Sequence, residues 1–337
     1  MLNDKAILIT GGTGSFGQKF TEILLKNYEP KKIVILSRDE YKQYQMAKKF
    51  SDRKYPIRYF LGDVRDKDRL FRAFEGIDYV VHAAALKQVP ALEYNPTEAV
   101  KTNVVGADNV VDAAIDARVK KVIMLSTDKA VNPINLYGAT KLVAEKIFIA
   151  ANAYAGGRVK FAVVRYGNVV GSRASVIPLF LKLKQQGAQE FPITDVRMTR
   201  FWITLVQGVN LVLKALEEAE GGEVFVPKIP SMKITDVAGA IDPNLKFRIT
   251  GIRPGEKIHE TLISEDEARV TRMFDRIYVI LPQFIPEKTH EKYENCRCVA
   301  EGFVYRSNTN DEWVSEEDLE QMINQEEAEL VSAEIAS

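Results

Sequence analysis

Several residue types that would each announce a function are scarce in this chain of 337 residues. The two cysteines, Cys296 and Cys298, are too few and too close together for a disulfide framework, and they read as incidental. Three histidines, His82, His259 and His290, stand away from the cysteines, so no zinc-ligand spacing is present. His82, at the end of a predicted strand, is expected to be a packed side chain rather than a catalyst. No apolar run nears the roughly 18–20 residues that cross a bilayer. Met1 to Lys5 leads straight into a short apolar strand, without the long apolar region and cleavage site of a signal peptide. Net charge is missing too. The 46 basic residues balance 46 acidic ones, which removes the electrostatic argument for nucleic acid. These absences predict a reduced, cytoplasmic, soluble protein with neither a membrane nor a nucleic-acid partner.

What is present is a 46% hydrophobic fraction, enough to bury the core of one large domain or two fused ones. The charge is unevenly placed. Between Asp311 and Ser337 there are ten acidic residues and no Lys or Arg, leaving 46 basic against 36 acidic residues in positions 1–310. A basic body with an acidic tail suits a small polyanion such as a nucleotide, and it equally suits an ordinary solvated surface. The tail is expected to fray beyond Gln325.

Through the first half, short apolar runs alternate with helical patterns. Strands are predicted at Ala6–Thr10, Lys32–Ser37, Ile57–Gly62, Tyr79–Ala83, Val122–Ser126 and Phe161–Arg165, with helices at Ser15–Lys26, Thr97–Ala117 and Tyr137–Ala153. Near-continuous apolar strands belong to a parallel sheet covered on both faces, so the expectation is an α/β, doubly wound parallel sheet. After about Val169 the regularity breaks. Val224–Pro227 is a candidate to return to the sheet, among Pro-containing stretches of a smaller, interleaved unit. The predicted division is a nucleotide-binding domain over 1–168, completed by about 201–226, and a substrate-binding domain over 169–200 and 227–337 that ends in the acidic tail.

Gly11-Gly12-Thr13-Gly14-Ser15-Phe16-Gly17 follows the first strand and opens the first helix. Glycine there permits a tight turn, close approach to a pyrophosphate and close helix–strand packing, so the segment reads as a dinucleotide fingerprint. A P-loop is excluded, because Gly17 is followed by Gln18 and only then Lys19. Ser37 and Arg38, with Lys42 one turn later, end the second strand and favour the 2′-phosphate of NADP; Asp39 is the group there that would suit NAD.

Tyr137 and Lys141 are four residues apart on one helical face, where a lysine ammonium would favour the phenolate. Such a tyrosine takes a proton from a sugar hydroxyl while hydride leaves the same carbon for a nicotinamide. Thr127, at the end of the fifth strand, would hydrogen-bond that hydroxyl. Arg200 and Arg253 have the planar, multi-donor groups of a diphosphate clamp, or are plain surface cations.

The fingerprint, Asp63-Val64, His82 to Ala85, Asn103 and Tyr137-x-x-x-Lys141 resemble an extended short-chain dehydrogenase/reductase. Over nearly the whole chain, HAAALKQVP (82–90), STDKAVNPINLYGATK (126–141), RYGNVVGSR (165–173), MTRFWIT (198–204), VPKIPSMK (226–233) and GIRPGEKIHE (251–260) resemble the UDP-N-acetylglucosamine 4,6-dehydratases that invert C5 and open the pseudaminic acid pathway. The resemblance implies a Rossmann-type domain, NADP held tightly and recycled in each turnover, a UDP-sugar substrate and a homo-oligomer, dimer or hexamer. It implies cofactor contacts at Gly11, Thr13, Gly14, Ser15, Phe16, Gly17, Ser37, Arg38, Lys42, Asp63, Val64, Ala83, Lys87, Thr102, Tyr137, Lys141 and Val169. Substrate contacts are implied at Lys87, Asn168, Arg200, Arg253 and Glu256. Nothing after about Glu265 is assigned.

Related hexose dehydratases carry Thr-Asp-Glu where this chain has Thr127-Asp128-Lys129. Dehydration needs an acid for the C6 hydroxyl and a base for the C5 proton. Asp128 is expected to be the acid and Lys129 the base, provided desolvation or nearby cations lower the Lys129 pKa. A C5-retaining dehydratase, or a UDP-sugar epimerase with the same cofactor, is an alternative within enzymes. A non-catalytic NADP-binding regulatory protein is the alternative outside them.

Overall fold

The computed structural model describes residues 1–170, 176–244, 246–284 and 287–335. Positions 171–173, the end of the RYGNVVGSR motif, lie outside the described residues. Six parallel strands form where the apolar runs lie: β1 (Ala6–Thr10), β2 (Lys32–Ser37), β3 (Ile57–Leu61), β4 (Tyr79–His82), β5 (Lys121–Thr127) and β6 (Lys160–Tyr166). Their order is β3-β2-β1-β4-β5-β6, and Val224–Pro227 returns to pair in parallel with β6. Helices cover both faces, so Ile7, Leu8, Ile9, Val80, Val81, Val122, Ile123 and Phe161 to Val164 are almost wholly shielded from solvent. The sheet is Rossmann-type, as its sequence predicts.

Three further strands, Ile277–Ile280, Thr271–Phe274 and Arg297–Cys298, extend this sheet antiparallel beyond Val224–Pro227, giving ten strands. They come from the stretch that sequence reasoning gives to the second unit. A separate core gathers Val170, Phe180, Phe191, Trp202, Met232 and Ile241. Around it lie a three-stranded sheet (Asn168–Val169, Thr199–Ile203, Ser231–Lys233) and a parallel pair (Glu190–Ile193 with Lys246–Ile249).

Two elements depart from expectation. The acidic tail is a helix, Glu316–Ile335, rather than a fraying end. Ser315 Oγ accepts the Asp318 N–H, acidic residues fill the first turn, and Leu319 and Ile323 enter the second core. The long helix expected over Thr97–Ala117 is interrupted by a π-helical stretch, Val100–Val105, in which the Gly106 N–H bonds to Lys101 O. The wider turn buries Thr102 and Asn103 beside the functional crevice.

The strand order reverses between β1 and β4, the place where open α/β sheets bind their ligands. Gly11 follows β1 with φ +64°, and a Cβ there would lie 2.9 Å from the Ala84 backbone after β4. Only glycine lets these two loops stand so close. A Cβ on Gly17 would meet Gly12 O at 2.3 Å, so the first helix, α1 (Ser15–Asn27), also depends on glycine for its seat on the sheet.

Candidate active site

A cavity of about 870 Å³ opens at this reversal and runs from the α1 N-terminus to the second unit. The nucleotide end is built by the fingerprint. Gly14 caps α1 without a side-chain bond, and no acidic residue occupies the first turn, so the helix offers free N–H groups and its positive end to an anion. Thr13 Oγ1 and Ser37 Oγ are 2.9 Å apart. Asp39 lines this end of the cavity too, but its carboxylate is already engaged: it caps the next helix by accepting the Lys42 N–H at 2.9 Å, and pairs with Lys42 Nζ at 3.0 Å. Arg38 is exposed, with Nη1 3.8 Å from Asp63 Oδ2. Asp63 is held well below the usual carboxylate range: burial raises it, but the Arg65 hydrogen bonds and charge outweigh that. In the π-helical stretch, the Thr102 hydroxyl is buried without a protein partner, a donor placed for a ligand. These groups fit a dinucleotide.

The chemical end is built where β5 runs out. Thr127 ends the strand, and Asp128–Ala130 turns into a short 3₁₀ segment. The helix Leu136–Tyr154 starts at Asn135, whose Oδ1 accepts the Gly138 N–H at 2.8 Å. A Cβ at Gly138 would stand 2.0 Å from Lys129 O, so this glycine brings the tyrosine helix against the Asp128–Lys129 turn. Asn103 clamps the crevice from the other side, bonding Leu86 N–H, Leu86 O and the Thr140 hydroxyl.

Around the reactive groups, Thr127 Oγ1 donates to Asp128 Oδ1 at 3.0 Å and Lys129 Nζ donates to the same oxygen at 2.9 Å. Lys129 Nζ also reaches Asn168 Oδ1 at 3.4 Å and Glu260 Oε1 at 3.4 Å. Burial alone would pull the Lys129 ammonium down, but the Asp128 and Glu260 carboxylates outweigh it and raise its pKa. The lowered value that sequence reasoning requires of a base is therefore not found in the resting site, because the two buried anions outweigh both burial and the nearby Arg200 cation. Asp128 is shifted upward by burial, with Lys129 opposing and Glu260 adding to the rise.

The Tyr137 phenol is raised by burial; Lys129 draws it down, Asp128 pushes it up and the Thr127 hydroxyl draws it down again. Lys129 is thus a second cation at the phenol, one that the four-residue spacing of Tyr137 and Lys141 does not reveal. Lys141 itself is buried and pulled down to about 8, with Glu145 opposing.

The other expected residues converge on the same cavity. Its lining includes Gly11, Thr13 to Gly17, Ser37, Arg38, Lys42, Asp63, Val64, Ala83, Lys87, Thr102, Thr127, Lys129, Tyr137, Lys141, Asn168, Val169, Arg200, Arg253 and Glu256. Asp128 is the exception. It is fully buried behind Thr127 and Lys129, and its Oδ2 lacks a partner. Arg200 is only 6% exposed and donates to the carbonyls of Thr199, Lys257 and Ile258, so its Nη donors are committed. Arg253 is exposed. His82 is wholly buried, bonded to Thr10 Oγ1 at 2.8 Å and stacked on Phe148.

Sequence reasoning misses Glu260. It shares a ten-residue motif with Glu256, and no spacing tells the two apart; only the fold delivers Glu260 to Lys129. Lys257, whose Nζ reaches Val131 O at 2.6 Å, is missed for the same reason.

Comparison with known proteins agrees with this geometry. The profile of a family described as polysaccharide biosynthesis protein matches residues 7–282. A UDP-N-acetylglucosamine 4,6-dehydratase (inverting) of Campylobacter jejuni is 55% identical over 97% of this chain and 99% of its own length. A UDP-glucose 4-epimerase of Rickettsia massiliae is 47% identical over 79% of this chain and 80% of its own. The crystal structure of Pen from Bacillus thuringiensis superposes with a TM-score of 0.88 at 39% identity, covering 97% of this chain and 99% of that one. DesIV from Streptomyces venezuelae, a dTDP-glucose 4,6-dehydratase solved with NAD, shares the fold at a TM-score of 0.71 and 19% identity, over 95% of this chain and 96% of its own. With its cavity at the sheet reversal and its threonine, tyrosine and lysine on that cavity's wall, the chain belongs to the polysaccharide biosynthesis protein family and stands within it beside the inverting UDP-N-acetylglucosamine 4,6-dehydratases.

Proposed function

We propose that this protein is a hydro-lyase that dehydrates UDP-N-acetylglucosamine across C5 and C6 with inversion at C5, giving UDP-2-acetamido-2,6-dideoxy-β-L-arabino-hex-4-ulose. One observation carries the reading. The Asp128–Lys129 ion pair adjoins Tyr137 and Thr127 at the sugar end of the cavity. An epimerase that oxidises and reduces C4 needs no such second acid–base pair.

NADP is the proposed cofactor: Ser37, Arg38, Asp39 and Lys42 all line this end of the cavity, and Asp39 is engaged by its helix cap and by Lys42, which leaves Ser37 and Arg38 for a 2′-phosphate. Thr13 to Gly17 would hold its pyrophosphate, and Thr102, Tyr137 and Lys141 its nicotinamide half. The chemistry the nicotinamide supplies when bound is reversible storage of hydride, taken from C4 and given back at C6.

The chain's own groups move the protons. Tyr137 takes the O4 proton as C4 becomes a ketone, and that ketone acidifies the C5 hydrogen. A proton passing from the Lys129 ammonium to Asp128 along their 2.9 Å contact produces a neutral amine and a neutral carboxylic acid. The amine removes the C5 proton. Asp128, buried behind Thr127, hands its proton through the Thr127 hydroxyl to the leaving C6 oxygen, and water departs. Arg253, exposed on the rim, meets the diphosphate, while Arg200 orders the wall beneath it. With the nicotinamide bound, C6 would regain the hydride, and the proton that Tyr137 took from O4 would return to C5 on the face opposite the one Lys129 deprotonated, which would complete the inversion.

We further propose that 1–168 with the returning strand form the cofactor unit and that the second core carries the sugar. Val100, Val105, Val143 and Tyr154, exposed on neighbouring helices, suit a homo-oligomer. No helix among the described residues is long and apolar enough to cross a membrane. Nucleotide sugar and cofactor are consistent with work in the cytoplasm, supplying pseudaminic acid synthesis.

The test is incubation with UDP-N-acetylglucosamine in D₂O without added reductant, followed by proton NMR. A 6-deoxy-4-keto product with deuterium at C5 and the L-arabino configuration is expected. A D-xylo first product would overturn inversion. UDP-N-acetylgalactosamine alone would establish the epimerase that some relatives are named as.

A further inference from the structure

Glu260 is a further ionisable group at the chemical end of the cavity, beside Asp128, Lys129, Tyr137 and Lys141, and no step of the proposed dehydration uses it. Its side chain is 3% exposed. Oε1 lies 3.4 Å from Lys129 Nζ and 4.0 Å from Arg200 Nε. Oε2 lies 3.8 Å from Lys257 Nζ and has no hydrogen-bond partner. The backbone is fixed on both sides, since the Glu260 N–H donates to Ser307 Oγ at 3.0 Å and its carbonyl accepts the Ser307 N–H at 2.9 Å. Arg200 and Lys257 spend donors on backbone carbonyls, which leaves Lys129 as the nearest cation. A buried carboxylate with a bare oxygen is costly for the fold, so its placement calls for a reason other than stability.

We propose that Glu260 is a positioning residue of the dehydration, its carboxylate keeping on the Asp128–Lys129 pair the proton that the two exchange. This rests on the 4,6-dehydratase reading. An N–H bond of the Lys129 ammonium breaks and an O–H bond forms on Asp128, with no change in net charge. In the elimination the Lys129 amine gains the C5 proton, the C5–H electron pair becomes the C5=C6 bond, the C6–O bond breaks, and the Asp128 proton completes the departing water. The pair ends as ammonium and carboxylate, as it began.

One proton too many leaves Lys129 an ammonium with no base; one too few leaves Asp128 a carboxylate with no acid. Glu260 faces Lys129, Arg200 and Lys257, with Glu256 3.8 Å beyond on Arg200. Burial raises its pKa, but the three cations outweigh that and keep it ionised. Asp128 faces Lys129, Thr127 and Tyr137, and Lys129 feels Lys87 across the cavity. Within this set the Glu260 charge raises the proton affinity of both members of the pair.

The test compares wild type, Glu260→Gln and Glu260→Asp as full-length protein. One readout is the pH profile of kcat on UDP-N-acetylglucosamine. The other is the titration of Lys129 by NMR in protein labelled at the lysine ε-carbon, its signal assigned with Lys129→Arg. In Glu260→Gln both limbs of the profile and the Lys129 titration should move to lower pH by about one unit or more. KM should stay within about threefold. Glu260→Asp should restore part of each shift and covers the case in which the amide variant folds poorly. A fall in kcat with unmoved limbs, or an unmoved Lys129 titration, would overturn the proposal. The titration needs no turnover, so failure of wild type to dehydrate the sugar would defeat the functional reading while leaving the Glu260–Lys129 link measured on its own.

Discussion

The Asn135 side chain holds Gly255 by its carbonyl, Nδ2 to O at 2.7 Å, while its Oδ1 caps the helix that carries Tyr137. One amide thus ties the 251–260 segment, with Arg253, Glu256 and Glu260, to the catalytic helix. Gly255 permits the approach: its φ is +75°, and a Cβ there would clash with the Asn135 Cβ at 2.8 Å. Asn135→Ala should cost about 1 kcal/mol through the lost cap. It should also raise KM for the nucleotide sugar, as the Arg253 turn loses its anchor. Thermal unfolding and steady-state kinetics together decide the matter. A lowered Tm with unchanged KM would reduce Asn135 to a helix cap.

The proposed preference for NADP rests on Arg38. Because Asp39 is engaged by Lys42 N–H and Nζ, the groups left for a 2′-phosphate are the Ser37 hydroxyl and the Arg38 guanidinium. A charge-assisted hydrogen bond of this kind is worth about 1.5–3 kcal/mol, so Arg38→Ala should weaken NADP⁺ binding roughly ten- to hundredfold. NAD⁺ binding should barely change. Calorimetric titration of cofactor-stripped protein measures both. An equal loss for the two cofactors would count against the assignment, and a wild type that prefers NAD⁺ would end it.

How far the sequence speaks depends on whether the relevant contact is local. The β1–α1 fingerprint and the Tyr137/Lys141 spacing are visible because each is fixed by a few consecutive residues. The six apolar runs are visible because two-sided burial demands them. Long-range pairing is not written in any window. Thr271–Phe274 and Ile277–Ile280 read as irregular sequence, yet they extend the main sheet through Val224–Pro227. Asp39 reads as the one group there that would suit NAD, and its cap on the next helix shows only in the folded chain. Lys129 reads as a base in need of cations, and only the fold brings the Glu260 carboxylate to it. The terminal helix looks like a charged tail because few of its residues, Leu319, Met322 and Ile323 among those described, reach the second core.

Lys129→Ala separates oxidation from elimination. Tyr137, Thr127 and the cofactor groups remain, so C4 oxidation should persist, slowed by loss of the Lys129 charge that draws the Tyr137 phenol down, and reduced nicotinamide absorbance should rise on mixing with substrate. Dehydration should fall by roughly 10²–10⁴, the usual worth of a positioned base. Asp128→Asn should block the same step by removing both the proton donor and the partner that accepts the Lys129 proton. Full dehydration by Lys129→Ala would remove it from the base role, whatever the stereochemistry of the product.

Lys141 exposes the stability cost of the site. Burial pulls its ammonium from 10.5 down to about 8, with Glu145 opposing. Between these values the unfolded chain binds the proton and the folded chain has released it, so stability from this group rises with pH across that window. Below about 8 the folded protein carries a buried, desolvated ammonium, and the penalty is present in full. The shift corresponds to about 3 kcal/mol as an order of magnitude. Lys141→Met removes the charge while keeping the bulk, so it should be more stable than wild type at about pH 7 and lose that advantage toward about pH 10. Activity should collapse, the familiar trade between a strained site and a stable one. Urea unfolding of both proteins across this range tests the argument: a stability difference independent of pH would show that the folded Lys141 binds its proton as an ordinary lysine does.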